Sequence, residues 1–262
     1  MTTIVMKFGG ASVATPEDFK KIATITLQRK LVYQRLVVVV SAMANTTSQL
    51  VDLAKKVNPD PPSREYDMLV SVGERISISL LAMALADQGE SAVSFTGSQS
   101  GIMTSDEHSN ARIVEVRPHR LLPILEEGRI AIVAGFQGCS LKGEITTLGK
   151  NGSDISAVAI AVALGAECVE FYKNVRGVFE KDPKNYENPK FYPELNYDQA
   201  LEIVEGGGRI LHPRCIELAR RNGLPLHIHS FEDPKVVGTR IFDDREIRGD
   251  LPRYEDELVL LQ

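Results

Sequence analysis

A chain of 262 residues has room for one large α/β domain or two small lobes sharing a core, and 43% hydrophobic with 25% charged residues are the proportions of a globular protein. A net charge of −5 offers no general attraction to nucleic acid or anionic membrane, no apolar run approaches the roughly 20 residues of a membrane span, and residues 1–7 lack the basic start and apolar core of a signal peptide. The three cysteines, Cys139, Cys168 and Cys215, are far apart and without metal-ligand spacing, so a reduced, cytoplasmic enzyme or binding protein is expected, with no nucleic-acid or membrane partner.

Residues 3–8 read as a strand broken by the turn Gly9-Gly10-Ala11-Ser12. Residues 16–30 then form a helix, with Thr15 as N-cap and Pro16 in the first helical position. Lys7 stands at the carboxyl end of the strand, where ligands gather in open α/β sheets, beside glycine amides suited to phosphate. The ordinary alternative is a solvated lysine next to a simple turn. Residues 36–40 are apolar and β-branched almost throughout, as in a strand buried on both faces. The small hydroxyl residues that follow, Ser41, Thr46 and Thr47, lead into a helix over 48–57 that Thr47 or Ser48 would cap. Beyond the proline-rich loop 58–63, one long helix is expected over 64–88. Glu74 and Arg75 interrupt its run of Leu, Met, Ala and Ile, so at least one is enclosed. A buried carboxylate needs a partner, which is either Arg75 or a ligand.

Strands are expected at 92–96, 111–116 and 130–134, and a helix at 118–127 closed by Gly128. The richest stretch follows at 143–158. There a glycine loop (Gly149, Gly152) carrying Lys150 feeds an Ala-rich helix that ends at Gly165, with Ser153 and Asp154 as natural N-caps. Such a loop leaves helix-terminal N–H groups pointing outward. Its lysine, serine and aspartate together suit a small zwitterion, cation to carboxylate and carboxylate to ammonium. Next come a strand at 168–172 ending in Lys173-Asn174, a loop over 181–193, helices at 197–204 and 211–222 separated by Gly206-Gly207-Gly208-Arg209, and a strand at 224–230. His227 and His229 alternate with apolar neighbours on that last strand; with no third ligand in view they fit a polar strand face rather than a metal site. Strands alternating with helices from end to end give an α/β fold with a largely parallel sheet.

Several stretches, taken in order, resemble the motifs of aspartate kinases. They are Lys7-Phe8-Gly9-Gly10-Ala11-Ser12-Val13, Ser41-Ala42-Met43, Ser71-Val72-Gly73-Glu74-Arg75-Ile76-Ser77, Val133-Ala134-Gly135-Phe136-Gln137-Gly138, Thr146-Thr147-Leu148-Gly149 and Leu211-His212-Pro213-Arg214. The resemblance runs from about residue 4 to residue 241. It implies the amino acid kinase fold, a mainly parallel central sheet between helices. An N-lobe of about 1–135 would hold the amino acid and a C-lobe of about 136–241 the nucleotide, with a charged tail at 242–262. The implied reaction moves the γ-phosphoryl group of MgATP to the β-carboxylate of L-aspartate, giving 4-phospho-L-aspartate, in a protein expected to form a homodimer. Lys7, Gly10 and Asp154 would be catalytic. Ser41, Thr47, Glu74, Phe136, Lys150, Gly152, Ser153 and Asp154 would hold the substrate, with Lys150 on a carboxylate, Asp154 and Glu74 near the ammonium, and Ser41 near the phosphates. Lys7, Gly9, Gly10, Lys173, Asn174, Gly177, Val178, Phe179, Asp182, Pro183 and Arg209 would grip ATP. No protein ligand to a metal is implied, and the Mg²⁺ belongs to the nucleotide.

The chain departs from the pattern around both ligands. Such kinases usually carry Arg-Gly-Gly-Ser-Asp where this chain has Lys150-Asn151-Gly152-Ser153-Asp154. Arginine grips a carboxylate with a two-pronged fork and lysine does not; the loss of one charge-assisted hydrogen bond costs about 1.5–3 kcal/mol. A related amino dicarboxylate or analogue is therefore the alternative acceptor. Lys173-Asn174 replaces Thr-Asp or Ser-Asp, Arg209 replaces a lysine, and Ala11 replaces a hydroxyl residue, which leaves an inert ligand-binding subunit as a further alternative. Most aspartate kinases also continue into paired regulatory domains. Residues 243–262 are too short and too charged to form one, so no feedback inhibition by lysine or threonine is expected of this chain.

Overall fold

A computed structural model describes residues 1–181, 186–208, 210–243 and 251–255. The chain opens with β1 (Thr3–Phe8), α1 (Pro16–Lys30), β2 (Arg35–Val40), α2 (Thr46–Val57), α3 (Ser63–Val70) and α4 (Val72–Asp87). It continues with β3 (Ala92–Phe95), β4 (Ile102–Thr104), β5 (Ile113–Val116), α5 (Leu121–Glu126), β6 (Ile130–Ala134), β7 (Gln137–Ser140), β8 (Ile145–Thr147) and α6 (Gly152–Ala163). The remainder is β9 (Cys168–Lys173), β10 (Val178–Phe179), β11 (Phe191–Tyr192), β12 (Glu194–Leu195), α7 (Tyr197–Glu205), α8 (Pro213–Asn222), β13 (Leu226–Ser230) and β14 (Thr239–Ile241).

The strands richest in buried aliphatic residues take the centre of one eight-stranded sheet, in the order β12-β14-β13-β9-β1-β2-β6-β3. The six strands from β13 to β3 run parallel, while β14 lies antiparallel to β13 and carries β12 with it. Strand alternation sorts the side chains into two layers. Ile4, Met6, Phe8, Leu36, Val38 and Val40 pack with Phe19, Ile22, Leu81 and Leu85 of α1 and α4. Val5, Val37, Val39 and Val133 face the other way, against α5, α6 and α8. Lys7 shares the parity of Val5, so its side chain is delivered to the α6 side. Below the main sheet lies a four-stranded sheet, β5-β4-β7-β8.

The expected α/β fold with its mainly parallel sheet between helices is the one observed. Thr15 caps α1 in a reciprocal capping box with Asp18, and Pro16 opens the helix. Several details differ. The expected helix over 64–88 divides at Ser71, whose carbonyl accepts from the Gln137 side chain (2.8 Å). Residues 63–87 together form a 25-residue stretch that is long and apolar enough to cross a membrane by length and composition only; its α4 part packs against α1, β3 and β6. The α2 helix starts at Thr46 behind Asn45, so neither Thr47 nor Ser48 is its cap. The α6 helix starts at Gly152 behind Asn151, which holds a left-handed φ of 60°, so Ser153 and Asp154 lie inside the first turn instead of capping it. The α8 helix starts two residues late, because the His212 ring accepts from the Arg214 amide (3.2 Å) as N-cap. The 181–193 loop contains β11, paired with β10.

Candidate active site

The carboxyl ends of β1, β2, β6 and β9 converge on the N-terminus of α6. Lys7, 4% exposed, forms an ion pair with Asp154, which is 3% exposed. Lys173, at the end of β9, approaches the same carboxylate from the other side, its Nζ 3.1 Å and 3.4 Å from the two oxygens. Asp154 is thus held between two ammonium groups. Burial alone would raise its pKa, but Lys173 and Lys7 together hold it below the ordinary carboxylate range. Burial pushes the Lys7 pKa down, with Asp154 opposing and Lys173 adding to the fall. The carboxylate expected near a ligand's ammonium is thus paired with two cations in this structure.

Two tight turns form the floor. The turn after β1 lies against the turn after β2: Ala44 N–H donates to the Gly10 carbonyl (3.2 Å), and a Cβ on Gly10 would sit 3.2 Å from the Ala42 carbonyl. The start of α4 closes on the same turn, where a Cβ on Gly73 would come within 2.7 Å of Ala42 Cβ. That contact sets Glu74, whose Oε1 accepts from the Ala42 amide (3.0 Å). Its Oε2 is buried without a partner, and Arg75 makes no ion pair with it, so the choice between Arg75 and a ligand falls against Arg75. Burial is the main cause of a Glu74 pKa raised to about 7; the Ala42 hydrogen bond and Lys7 pull the other way.

The 148–154 loop forms the opposite wall. Phe136 adopts a positive φ of 70°, and its amide donates to Ser156 Oγ (3.1 Å). A Cβ on Gly135 would stand 2.7 Å from Ser153 Cβ, and one on Gly152 would stand 2.7 Å from Leu148 Cβ, so strand β6 and the helix start pack backbone to backbone. Thr147 is pinned from below by Asp67 of α3. The Asp67 carboxylate accepts from Thr147 N (3.0 Å), Thr147 Oγ1 (2.7 Å), Ser109 N (2.9 Å) and the His108 ring (2.9 Å).

The sequence-predicted residues divide accordingly. Lys7 and Lys173 both pair with Asp154; Gly9 and Gly10 belong to the abutting turns, with Ser41 half-buried there and Glu74 at the start of α4 beside them; Phe136, Gly152 and Ser153 form the loop wall. Thr47 is half-buried in the first turn of α2, and Lys150 is exposed at the loop. Asn174 is exposed just beyond Lys173, whereas Gly177, Val178 and Phe179 are fastened to the far side, with Val178 N–H donating to Thr239 Oγ1 (2.8 Å). Asp182, Pro183 and Arg209 lie outside the described residues. Sequence reasoning missed Asp67 and Ser156. Asp67 follows the polar stretch Ser63-Arg64-Glu65-Tyr66, where a carboxylate gives no sign of burial.

Two further potential ligand groups, absent from the sequence reading, do lie beside His227. Cys168, Glu170 and His227 present ligand atoms within 4.8 Å of one another, because β9 and β13 pair in a register that sets His227 opposite Glu170. Arg29 already takes both Glu170 oxygens in a two-pronged pair and Tyr172 OH donates to Oε2 (2.8 Å), so the charge of that carboxylate is matched by a cation of the chain itself.

A glycine-lined turn at the strand ends, paired lysines and a helix N-terminus make an anion-handling α/β site. The chain belongs to the amino acid kinase family, whose model matches residues 2–230. Within that family its relatives are aspartokinases. That of Mycobacterium bovis is 47% identical over 231 residues, 88% of this chain and 55% of its own. That of Bacillus sp. (strain MGA3) is 46% identical over 263 residues, 99% of this chain and 64% of its own. The chain thus spans a little over half the length of the curated relatives it matches. Among solved structures, aspartate kinase from Synechocystis superposes with a TM-score of 0.82 at 39% identity, covering 95% of this chain and 41% of that one. E. coli aspartokinase III in complex with aspartate and ADP gives 0.83 at 28% identity, covering 94% and 65%.

Proposed function

We propose that this chain transfers the γ-phosphoryl group of MgATP to the β-carboxylate of L-aspartate, giving 4-phospho-L-aspartate and ADP. The observation that carries the reading is the Lys7–Asp154–Lys173 arrangement at the strand ends, with the free oxygen of Glu74 nearby. The aspartokinase relatives and the aspartate and ADP bound to E. coli aspartokinase III support the choice of substrates. A β-carboxylate is ionised at pH 7, so the step needs no base. Its oxygen forms the new bond to the γ-phosphorus while the bond from that phosphorus to the bridging oxygen breaks, and the electron pair leaves with ADP. No proton moves. The protein's task is to align the two anions and offset their charge. Asp154 orients both lysines toward the transferring group, and its charge opposes the fall that burial imposes on the Lys7 pKa.

In this reading Glu74 takes the substrate ammonium and Lys150 a carboxylate, with Ser41, Thr47, Phe136, Gly152 and Ser153 completing that side. Gly9, Gly10, Lys173, Asn174, Gly177, Val178 and Phe179 hold the nucleotide, and the family resemblance adds Asp182, Pro183 and Arg209. The N-lobe and C-lobe division at about residue 135 follows the two ligands. Mg²⁺ enters with ATP. A homodimer and a cytoplasmic location belong to the same proposal, supported by the family and by three unpaired cysteines.

The deciding experiment traps acyl phosphate as hydroxamate in the presence of MgATP, with aspartate, glutamate and aspartate analogues as acceptors. Turnover with aspartate is expected. Turnover only with an analogue would move the substrate to a related amino dicarboxylate, the alternative raised by Lys150. Silence with every acceptor would overturn the kinase reading and leave an inert ligand-binding subunit.

Glu74 gives this function a pH signature. Its carboxyl, with a pKa of about 7 in the free protein, must be ionised to receive an ammonium. Protonation below that value removes the partner, so KM for the amino acid is expected to rise about tenfold per pH unit below 7 and to level off above it. Glu74→Gln should flatten this dependence and raise KM by about ten- to a hundredfold at pH 8. An unchanged pH profile in the variant would remove Glu74 from that role.

A further inference from the structure

The guanidinium of Arg214, at the start of α8, is committed on two sides. Toward the substrate loop, Nη1 donates to the Leu148 carbonyl (2.8 Å) and to Asn110 Oδ1 (3.3 Å), and Nη2 donates to the Ala111 carbonyl (2.8 Å). On its other edge, Nε and Nη2 grip both oxygens of Glu255, at 2.5 Å and 2.9 Å. Glu255 is nearly enclosed, its side chain 6% exposed, and its Oε2 also accepts from the Ile113 amide (2.9 Å). The segment that carries it is fastened independently: the Asn222 side chain makes two hydrogen bonds to the Arg253 backbone (2.7 Å and 2.9 Å).

Leu148 stands two residues before Lys150 and touches Gly152, and a Cβ on Gly149 would lie 3.0 Å from Asn110 Oδ1. Arg214 therefore holds the backbone on which the amino-acid side of the site is built, and Glu255 holds Arg214. The nucleotide side at 177–179 is fastened separately, through Thr239.

We propose that Arg214 and Glu255 are positioning residues for the 148–154 loop, so that docking of the 251–255 segment sets the affinity for the amino-acid substrate and not for the nucleotide. This rests on the kinase reading above. A guanidinium without its carboxylate keeps its carbonyl partners but loses the fork that fixes its plane, so the loop is held in a wider set of positions. The expected effect is specific to one substrate.

The test is steady-state kinetics of Glu255→Ala, Glu255→Gln, Glu255→Asp and Arg214→Lys, with thermal unfolding alongside and calorimetric titration of L-aspartate into each protein. Glu255→Ala should raise KM and Kd for aspartate about five- to tenfold, with KM for ATP within about twofold of wild type. Glu255→Asp should recover part of the loss, and Glu255→Gln should fall between. Arg214→Lys combined with Glu255→Ala should do little more than either alone, since the two act as one unit. Equal increases in both KM values, or unchanged aspartate affinity in a folded variant, would overturn the proposal. If Glu255→Ala does not fold, the Gln and Asp variants decide by the same criterion. A wild-type protein that binds aspartate without turnover overturns the kinase reading, and the calorimetric comparison then decides the positioning role. No aspartate binding by the wild type overturns both.

Discussion

Lys7→Met is expected to lower kcat by about 10²- to 10³-fold while leaving the fold intact, because the lost group is a preorganised charge aimed at the transferring phosphoryl group. The variant is chosen for what remains. Asp154 keeps Lys173 at 3.1 Å, so no buried carboxylate is orphaned, and the methionine fills the lysine's apolar stem space beside Val5 and Phe171. Hydroxamate formation at saturating aspartate and ATP measures the fall; circular dichroism and thermal unfolding measure the fold. A variant that unfolds within a few degrees of wild type and retains most of its turnover would remove Lys7 from the chemistry.

Asp154→Asn should harm both stability and turnover, with opposite dependence on pH. The amide keeps the shape and loses the charge, so Lys7 stays fully enclosed without a counter-ion and faces Lys173 at close range. Breaking a buried pair in this way costs about 3–5 kcal/mol, a drop in Tm of roughly 10 °C for a chain of this size. The Lys7 pKa, already lowered by burial, falls further once Asp154 no longer raises it. A folded pKa below the unfolded value of about 10.4 means that the unfolded chain binds more protons, so the variant's stability deficit narrows as pH rises toward that value. Residual turnover needs the ammonium form and therefore survives best at the acid end. Unfolding and hydroxamate measurements across pH 6–9 would show the two trends crossing. Parallel trends would mean that Lys7 keeps its proton without Asp154.

The sheet and the floor of the site were legible where the signal was local. The aliphatic runs of β1, β2 and β6 located the central strands; Lys7 followed from its place at the carboxyl end of β1 beside a glycine turn, and Glu74 from a carboxylate in an apolar helix. The rest depends on contacts between distant segments. Asp67 and Thr147 are 80 residues apart, Arg214 and Leu148 are 66 apart, and nothing local in either partner announces the other. Asp154 reads as a cap because its first turn is visible in the sequence and its two lysines, at 7 and 173, are not. The small sheet of β4, β5, β7 and β8 went largely unread, since three- and four-residue strands with polar members carry little periodicity. The Cys168–Glu170–His227 cluster depends on the β9–β13 register, which only the folded sheet fixes.

The place of β1 has a consequence for how the chain acquires its activity. The first strand made is paired on one edge with β2, 32 residues later, but its other edge waits for β9, more than 160 residues downstream. That second pairing brings Lys173 beside Lys7, and α6, which lies between β2 and β9 in the chain, brings Asp154. Nascent chains shorter than about 173 residues can hold a partial sheet with an open central edge, a sticky template that other chains can join. Closing so long a loop is slow compared with local helix formation, so the cluster of Lys7, Asp154 and Lys173 waits on that closure. Gain of turnover in a refolding experiment therefore reports completion of the sheet, and the vulnerable interval is the one before β9 has arrived.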